Sequence, residues 1–310
     1  MEKKALESRF VTIDGHQIHY LTNIGEKDEN KEGEEQYLTN NDLLVFLHGF
    51  PENAHAWETL VAYLPGEVDV IAPDLPGYYK SEPLSSEESY TVPNLLTRMS
   101  TFIETVAKGR RAVLVGHDWG GAIAWPLAAF HAHLFSRLII LNAAHPSTFT
   151  ELLKCSRTQR EKSQYIHQLI DDKAQSTLEK TEFLLLKNML GEALFSTDME
   201  YANTLLSGWN NKHSLKAMLS YYKNMPQRVP KTNADQKELE AIRVPNIRIL
   251  LPTLVLWGEK DDAFDVSILE GLPRYVENLT IKRHQTATHW IHREQAVWAA
   301  KHISDFIYSE

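Results

Sequence analysis

Only one cysteine, Cys155, occurs in the 310 residues, so no disulfide can form within the chain and a reducing, cytoplasmic setting is expected. Long apolar runs are missing too: none approaches the ~20 residues a membrane helix needs. The first residues, MEKKALESRF, lack the apolar stretch of a secretory signal. There is no basic cluster of the kind that tracks phosphates and the formal charge is −9, which argues against nucleic acid as a partner. Nor does any His/Cys/Asp group have the spacing of metal ligands. Internal repeats and low-complexity tracts are absent.

What remains is a chain with 43% hydrophobic residues, enough for a large core, as one domain or as a core with an insertion. Phe10 to Ile13 and His16 to Leu21 alternate around Asp14-Gly15, a type I′ hairpin signal. Gly25 to Glu35 has almost no apolar residue and reads as a solvated loop. Leu43 to Leu47 and Val68 to Ala72 are short apolar runs, as strands buried on both faces are, with an amphipathic helix expected over Ala56 to Leu64. Another helix is expected over Thr91 to Ala107, ending at Gly109 as a C-cap. Strands follow at Val113 to Val115 and Leu138 to Leu141. This alternation predicts an α/β fold, an open and mostly parallel sheet with helices on both faces.

Between Ser147 and Lys237 no convincing strand appears, and the segment is helix-like and polar. Strand signals return at Thr253 to Trp257 and Leu279 to Lys282, with a helix after Asp265 and a closing helix over Arg293 to Ile307. The expected division is therefore a core over 1–146 and 238–310, interrupted by a helical cap over 147–237. Such a cap would lie over the carboxyl ends of the strands, where open α/β sheets hold ligands.

The chain is organised around Val113 to Trp125, VLVGHDWGGAIAW. A β-branched run breaks at Gly116, and a small-residue helical pattern resumes after Gly120 and Gly121. Glycines two residues either side of Asp118 suit a turn too tight for side chains at those places. The spacing is that of the nucleophile elbow, G-x-S-x-G, with Asp118 where serine would stand. A serine-type esterase is disfavoured, because the elbow holds neither serine nor cysteine.

Asp118 needs partners, and Asp261 and His289 follow in the order of the α/β-hydrolase triad, each in a loop after a predicted strand. Asp262 is the other candidate acid, with the spacing from Gly258 favouring Asp261. A carboxylate with an ordinary pKa of about 4 is ionised at neutral pH and needs no base to activate it. It can displace at a strained or polarised sp³ carbon, giving an alkyl ester. His289, oriented by Asp261, would then draw a proton from water attacking that ester. The oxyanion needs donors, for which the backbone N–H groups of Trp119 and Phe50 are the candidates, since Pro51 has none to give. His48, His117, His145 and Asp74 are expected to be structural.

HGFPE (His48 to Glu52), APDLPGYYKS (Ala72 to Ser81), GHDWGG (Gly116 to Gly121), LNAAHP (Leu141 to Pro146), PTLVLWGEKD (Pro252 to Asp261) and THW (Thr288 to Trp290) together resemble the epoxide hydrolases of the α/β-hydrolase superfamily over nearly the full length. Haloalkane dehalogenases share GHDWG but typically place a halide-binding Asn or Glu where this chain has Phe50. Haloacid enzymes typically carry Arg at the position of Trp119. The resemblance implies the α/β-hydrolase fold, a cis bond before Pro51, a small-molecule epoxide as substrate and no cofactor.

It also implies cap tyrosines that donate to the epoxide oxygen. Tyr222, in SYYKNMP, matches the second of these, and a phenol of pKa about 10 stays protonated at neutral pH. Tyr165, in SQYIHQL, matches the first, with His167 the alternative because some relatives carry histidine there. Phe50, Trp119 and His167 are the expected substrate contacts. The remaining alternatives are a dehalogenase and a non-catalytic homologue that only binds; oligomeric state is left open.

Overall fold

In a computed structural model, residues 6–25, 42–66 and 68–308 are described. Of the expected solvated loop, only Gly25 falls among them. The described residues form an eight-stranded sheet in the order β1-β2-β4-β3-β5-β6-β7-β8. Strands β1 (Glu7–Ile13) and β2 (His16–Thr22) form the expected hairpin, with positive φ at both Asp14 and Gly15, as a type I′ turn requires. They join the sheet antiparallel, through β2 on β4 (Asp69–Pro73).

The remaining strands are parallel: β3 (Leu43–Leu47), β5 (Ala112–His117), β6 (Phe135–Leu141), β7 (Thr253–Gly258) and β8 (Leu279–His284). Every residue of β3, β4, β5 and β7 is buried, as their unbroken apolar runs demand of strands covered on both faces. The two faces carry separate apolar clusters, one continuous with the helical insertion and one under the closing helix.

Three expected helices take different forms. The segment read as one helix over Ala56 to Leu64 is a 3₁₀ turn, Ala54–Trp57, running into a short α-helix, Glu58–Val61. After Asp265 the chain is a 3₁₀ stretch, Val266–Arg274, because Gly271 and Pro273 interrupt regular α-helical bonding. The closing helix is broken at Gln295 into Ile291–Glu294 and Ala296–Ile307. Between β6 and β7 the named elements among the described residues are all helices, from Pro146–Cys155 to Gln236–Ala241, and Ile249 makes an isolated bridge to Val276. Among the described residues no helix is long and apolar enough to cross a membrane.

Candidate active site

The carboxyl ends of five neighbouring strands deliver the predicted residues to one place. Strand β3 leads into His48-Gly49-Phe50, β5 into Asp118, β6 into Asn142, β7 into the loop carrying Asp261, and β8 into the loop carrying His289. Asp118 opens the helix Asp118–Phe130 with φ of +48°, a left-handed conformation that a non-glycine residue adopts only under constraint. The constraint is crowding. A Cβ at Gly120 would stand 2.0 Å from the Leu47 carbonyl oxygen, and one at Gly49 would stand 2.3 Å from the Asp118 Cβ. The turn therefore presses against the β3 loop and brings the Phe50 N–H to 2.7 Å from Asp118 Oδ1, which accepts its hydrogen bond. The bond between Phe50 and Pro51 is cis.

Asp118 Oδ2 lies 3.7 Å from His289 Nε2, and His289 Nδ1 lies 2.9 Å from Asp261 Oδ2. Asp261 is fixed on all sides. Its Oδ1 accepts from the N–H groups of Ala263 (2.7 Å) and Phe264 (3.0 Å), and its Oδ2 from the Asn142 amide at 2.6 Å. Burial pushes the carboxyl pKa of Asp118 and Asp261 up, but the His289 imidazole and these donors outweigh it and hold both below the ordinary value. Burial likewise disfavours the imidazolium. The charge of Asp261, with Asp118 on the other side, overrides that and raises His289 to about 10. At neutral pH the imidazole is thus cationic, between two carboxylates.

Two cavities meet at Asp118, of about 600 Å³ and 480 Å³, and Asp118, Tyr165, Tyr222 and Ala263 wall both. Trp119 lines the larger, while Phe50, His289 and Asp262 line the smaller. Tyr222 packs edge-on against Phe50 and Trp119, with ring centroids 4.9 and 5.3 Å apart. Tyr165 stands across from it, with ring centroids 6.3 Å apart. Burial raises both phenols above the ordinary value, with the Asp118 charge acting the same way, so both are neutral donors at pH 7.

His167 is a correction. It lies on the wall of a third cavity with Gln168, Leu169 and Asp171, which shares Leu185 and Asn188 with the smaller one, and it is not among the residues lining either cavity at Asp118. Two places along the helix Tyr165–Leu169 is more than half a turn, so only one of the two residues can face Asp118. Asp262 is exposed at a cavity wall, and Asp261 alone of the two bonds His289. The residues expected to be structural are so placed. The Nε2 of His48 accepts from the Leu75 N–H at 2.9 Å, Asp74 Oδ1 accepts from the Ala54 N–H at 2.8 Å, and His145 Nδ1 caps the Ser147 N–H at 3.2 Å.

Two features escaped the sequence reading. Asn142 ties the β7 end to the acid, accepting from the Gly258 N–H at 2.7 Å while donating to Asp261. It stands first after β6 within LNAAHP, a segment quoted for its likeness and given no role. The second feature corrects the expectation that no group has metal-ligand spacing. Glu52, His117 and His292, all buried, bring ligand atoms within 4.8 Å of one another beneath His289. Three distant segments supply them, so spacing along the chain carries no sign of it. The Tyr201 hydroxyl (2.8 Å) and the Arg293 guanidinium (3.1 Å) both meet Glu52 Oε1, while Oε2 faces His292 Nε2 at 3.0 Å and His117 Nδ1 at 3.5 Å. His117 Nε2–H donates to the His289 carbonyl oxygen at 2.9 Å, which ties this network to the catalytic loop.

A sheet with one antiparallel flank, an acid on a left-handed elbow and an acid–histidine pair from the next strands define an α/β hydrolase with a carboxylate in the nucleophile position. The family model for the alpha/beta hydrolase fold matches residues 42–296. Within that superfamily the chain belongs to the epoxide hydrolases. A solved structure from work on epoxide hydrolases in metagenomes from hot environments shares 31% identity, covers 99% of this chain and 100% of its own, and superposes with a TM-score of 0.86. An inhibitor-bound epoxide hydrolase from Bacillus megaterium shares 25%, covers 97% of this chain and all of its own, and has a TM-score of 0.82. The curated epoxide hydrolase 3 of Xenopus tropicalis is 29% identical over 86% of this chain and 71% of its own length.

Proposed function

We propose that this chain is an epoxide hydrolase that opens an epoxide on Asp118 and releases a vicinal diol, needing no cofactor. One observation carries the reading: Asp118 has one oxygen engaged by the Phe50 N–H and the other facing both a cavity and His289. Oδ2 is then the nucleophile and Oδ1 becomes the ester carbonyl oxygen. That oxygen already accepts from the Phe50 N–H, and the Trp119 N–H is assigned as the second donor to the oxyanion that develops there.

In the first step Oδ2 bonds to an epoxide carbon, the C–O bond breaks, and Tyr165 and Tyr222 donate to the alkoxide. Esterification removes the Asp118 charge, so one of the two carboxylates holding the His289 proton is gone. The imidazolium becomes the acid that makes up the proton given to the alkoxide, and is left neutral. In the second step neutral His289 takes a proton from water as it adds to the Asp118 ester carbon. Collapse expels the diol oxygen, which takes the proton of the added hydroxyl, so the diol leaves with Asp118 again a carboxylate and His289 again an imidazolium. Asp261, held by Asn142, keeps the imidazole oriented throughout.

The helices of 147–237 serve as the cap that closes the chamber and supplies the two phenols, on a core of 1–146 and 238–310. A cytoplasmic setting, read from the lone Cys155, belongs to the same proposal. The test is isotopic. In a single turnover in heavy-oxygen water, label enters Asp118 and the first diol released is unlabelled. Label passing straight into diol would mean direct attack by water on the epoxide.

A further inference from the structure

The chamber has two unlike arms, and the oxirane must sit where they meet. The larger arm is walled by residues such as Leu96, Pro126, Phe130 and Phe149, and apart from Asp118 its lining contains no ionisable acid or base other than the two phenols. The smaller arm is lined by His289 and by Asn188, Asp262, Thr288 and Glu294. Asp262 and Glu294 are both exposed, and Glu294 is fixed by accepting from the Thr288 N–H at 2.8 Å and hydroxyl at 2.6 Å. Among the described residues no lysine or arginine lines either arm. Lys162 donates its ammonium to the Asp261 carbonyl oxygen at 2.5 Å from outside the lining, and Lys187, next to Asn188 in the chain, is outside it as well. Arg293 is drawn the other way, onto Glu52.

Resting on the epoxide reading above, we propose that this site selects its substrate by charge. It takes epoxides substituted on both carbons, with an apolar group in the larger arm and a neutral or cationic substituent in the smaller one, and it turns away free carboxylates. An ionised acid entering the smaller arm approaches the carboxylates of Asp262 and Glu294 with no lysine or arginine in the lining to offset them, while the His289 imidazolium is already matched by Asp118 and Asp261. A hydroxyl or ester meets no such penalty, and an ammonium group is drawn in.

The probe is an internal epoxide with a phenyl group on one carbon and, on the other, a short chain ending in a carboxylic acid, its methyl ester or a primary amine. At low salt the ester should exceed the acid in kcat/KM by about tenfold, the amine should at least match the ester, and added salt should narrow the gap. The ratio of acid to ester within each variant is the readout, so a general loss of activity does not confuse it. Asp262→Asn should shrink the gap and Asp262→Lys should reverse it. Equal turnover of acid and ester by wild type, or a ratio that Asp262→Lys leaves unmoved, overturns the charge selection while leaving the epoxide reading standing. Failure to turn over ester, amine and styrene oxide alike sinks both.

Discussion

Two buried histidine–carboxylate pairs sit on this one sheet with closely similar hydrogen bonds. His289 Nδ1 meets Asp261 Oδ2 at 2.9 Å, and His19 Nδ1 meets Asp74 Oδ2 at 2.6 Å. The second pair even has a hydroxyl on its far side, Ser8 Oγ at 2.7 Å from His19 Nε2, which completes the connectivity of a serine triad. What separates them is what the outer nitrogen faces. The His289 Nε2 looks at an acid on a left-handed turn, in the wall of a chamber, with a backbone donor already in place. His19 looks at a serine on the outermost strand, and neither residue lines that chamber. Asp74 meanwhile accepts from the N–H groups of Ala54 and Lys80, so it organises a turn. A relay of correct bonds is therefore common to both, and only an oriented nucleophile beside a cavity makes one of them catalytic.

Removing the two nucleophile candidates draws this contrast most sharply. Asp118→Ala should lower epoxide turnover by roughly 10⁴-fold or more, the scale at which loss of a covalent nucleophile acts. Ser8→Ala should leave the rate within about twofold, a claim that steady-state assays of the two variants side by side can refute.

The histidines come next. His289→Gln should slow turnover by roughly 10²- to 10⁴-fold, the range for a lost general base, with ring opening, still served by the two phenols, slowed less than hydrolysis of the ester. Intact-protein mass spectrometry should then find the chain heavier by one substrate. His19→Gln should give no such adduct and a near-normal rate. Instead it should cost stability on the order of 3 kcal/mol, since it leaves the buried Asp74 carboxylate without its partner. An adduct that fails to build up in His289→Gln would remove the imidazole from the second step.

The same contrast explains what could be read from the sequence. Gly116, Gly120 and the order Asp118, Asp261, His289 were legible because close backbone packing and strand-end loops leave local marks. Strands β3, β4, β5 and β7 were legible because burial on both faces forces unbroken apolar runs. The choice between Tyr165 and His167 was not, since it depends on the rotation of a five-residue helix whose neighbours are distant in the chain. Nor was the Glu52, His117, His292 and Arg293 network, assembled from the β3 loop, the elbow and the helix after His289. Its Tyr201 partner comes from a helix of the insertion, Met199–Asn210. Composition in that stretch records only a polar helix.

A smaller effect should separate the phenols from the elbow. Tyr165→Phe and Tyr222→Phe should each slow ring opening by about tenfold, as loss of one neutral donor to a developing oxyanion does, and the double variant by more than either. Pre-steady-state quenching of protein fluorescence offers a direct readout of the alkylation step. His167→Ala should leave that rate unchanged, and a slowing equal to that of Tyr165→Phe would return His167 to the site.

The gentlest test uses pH on the folded protein and compares His289 with His145, a buried histidine whose shift comes from burial alone. Burial lowers His145 to about 3, against 6.5 for an exposed imidazole, whereas the flanking carboxylates raise His289 to about 10. The signs are opposite. His145 binds no proton in the folded state between pH 6.5 and about 3 while the unfolded chain does, so its contribution falls as pH drops through that window, with a slope of at most about 1.4 kcal/mol per pH unit. His289 adds stability that is complete below pH 6.5 and is lost as pH rises through about 10. Denaturant melts from about pH 5 to about pH 10 should therefore show stability declining at both ends. His145→Asn, which keeps a cap for the Ser147 N–H, should lessen the decline on the acid side only, where His292, also lowered to about 3, and His48 still contribute, and His289→Gln should lessen it on the alkaline side only. If either substitution flattened both limbs, the opposite shifts assigned to the two rings would be wrong.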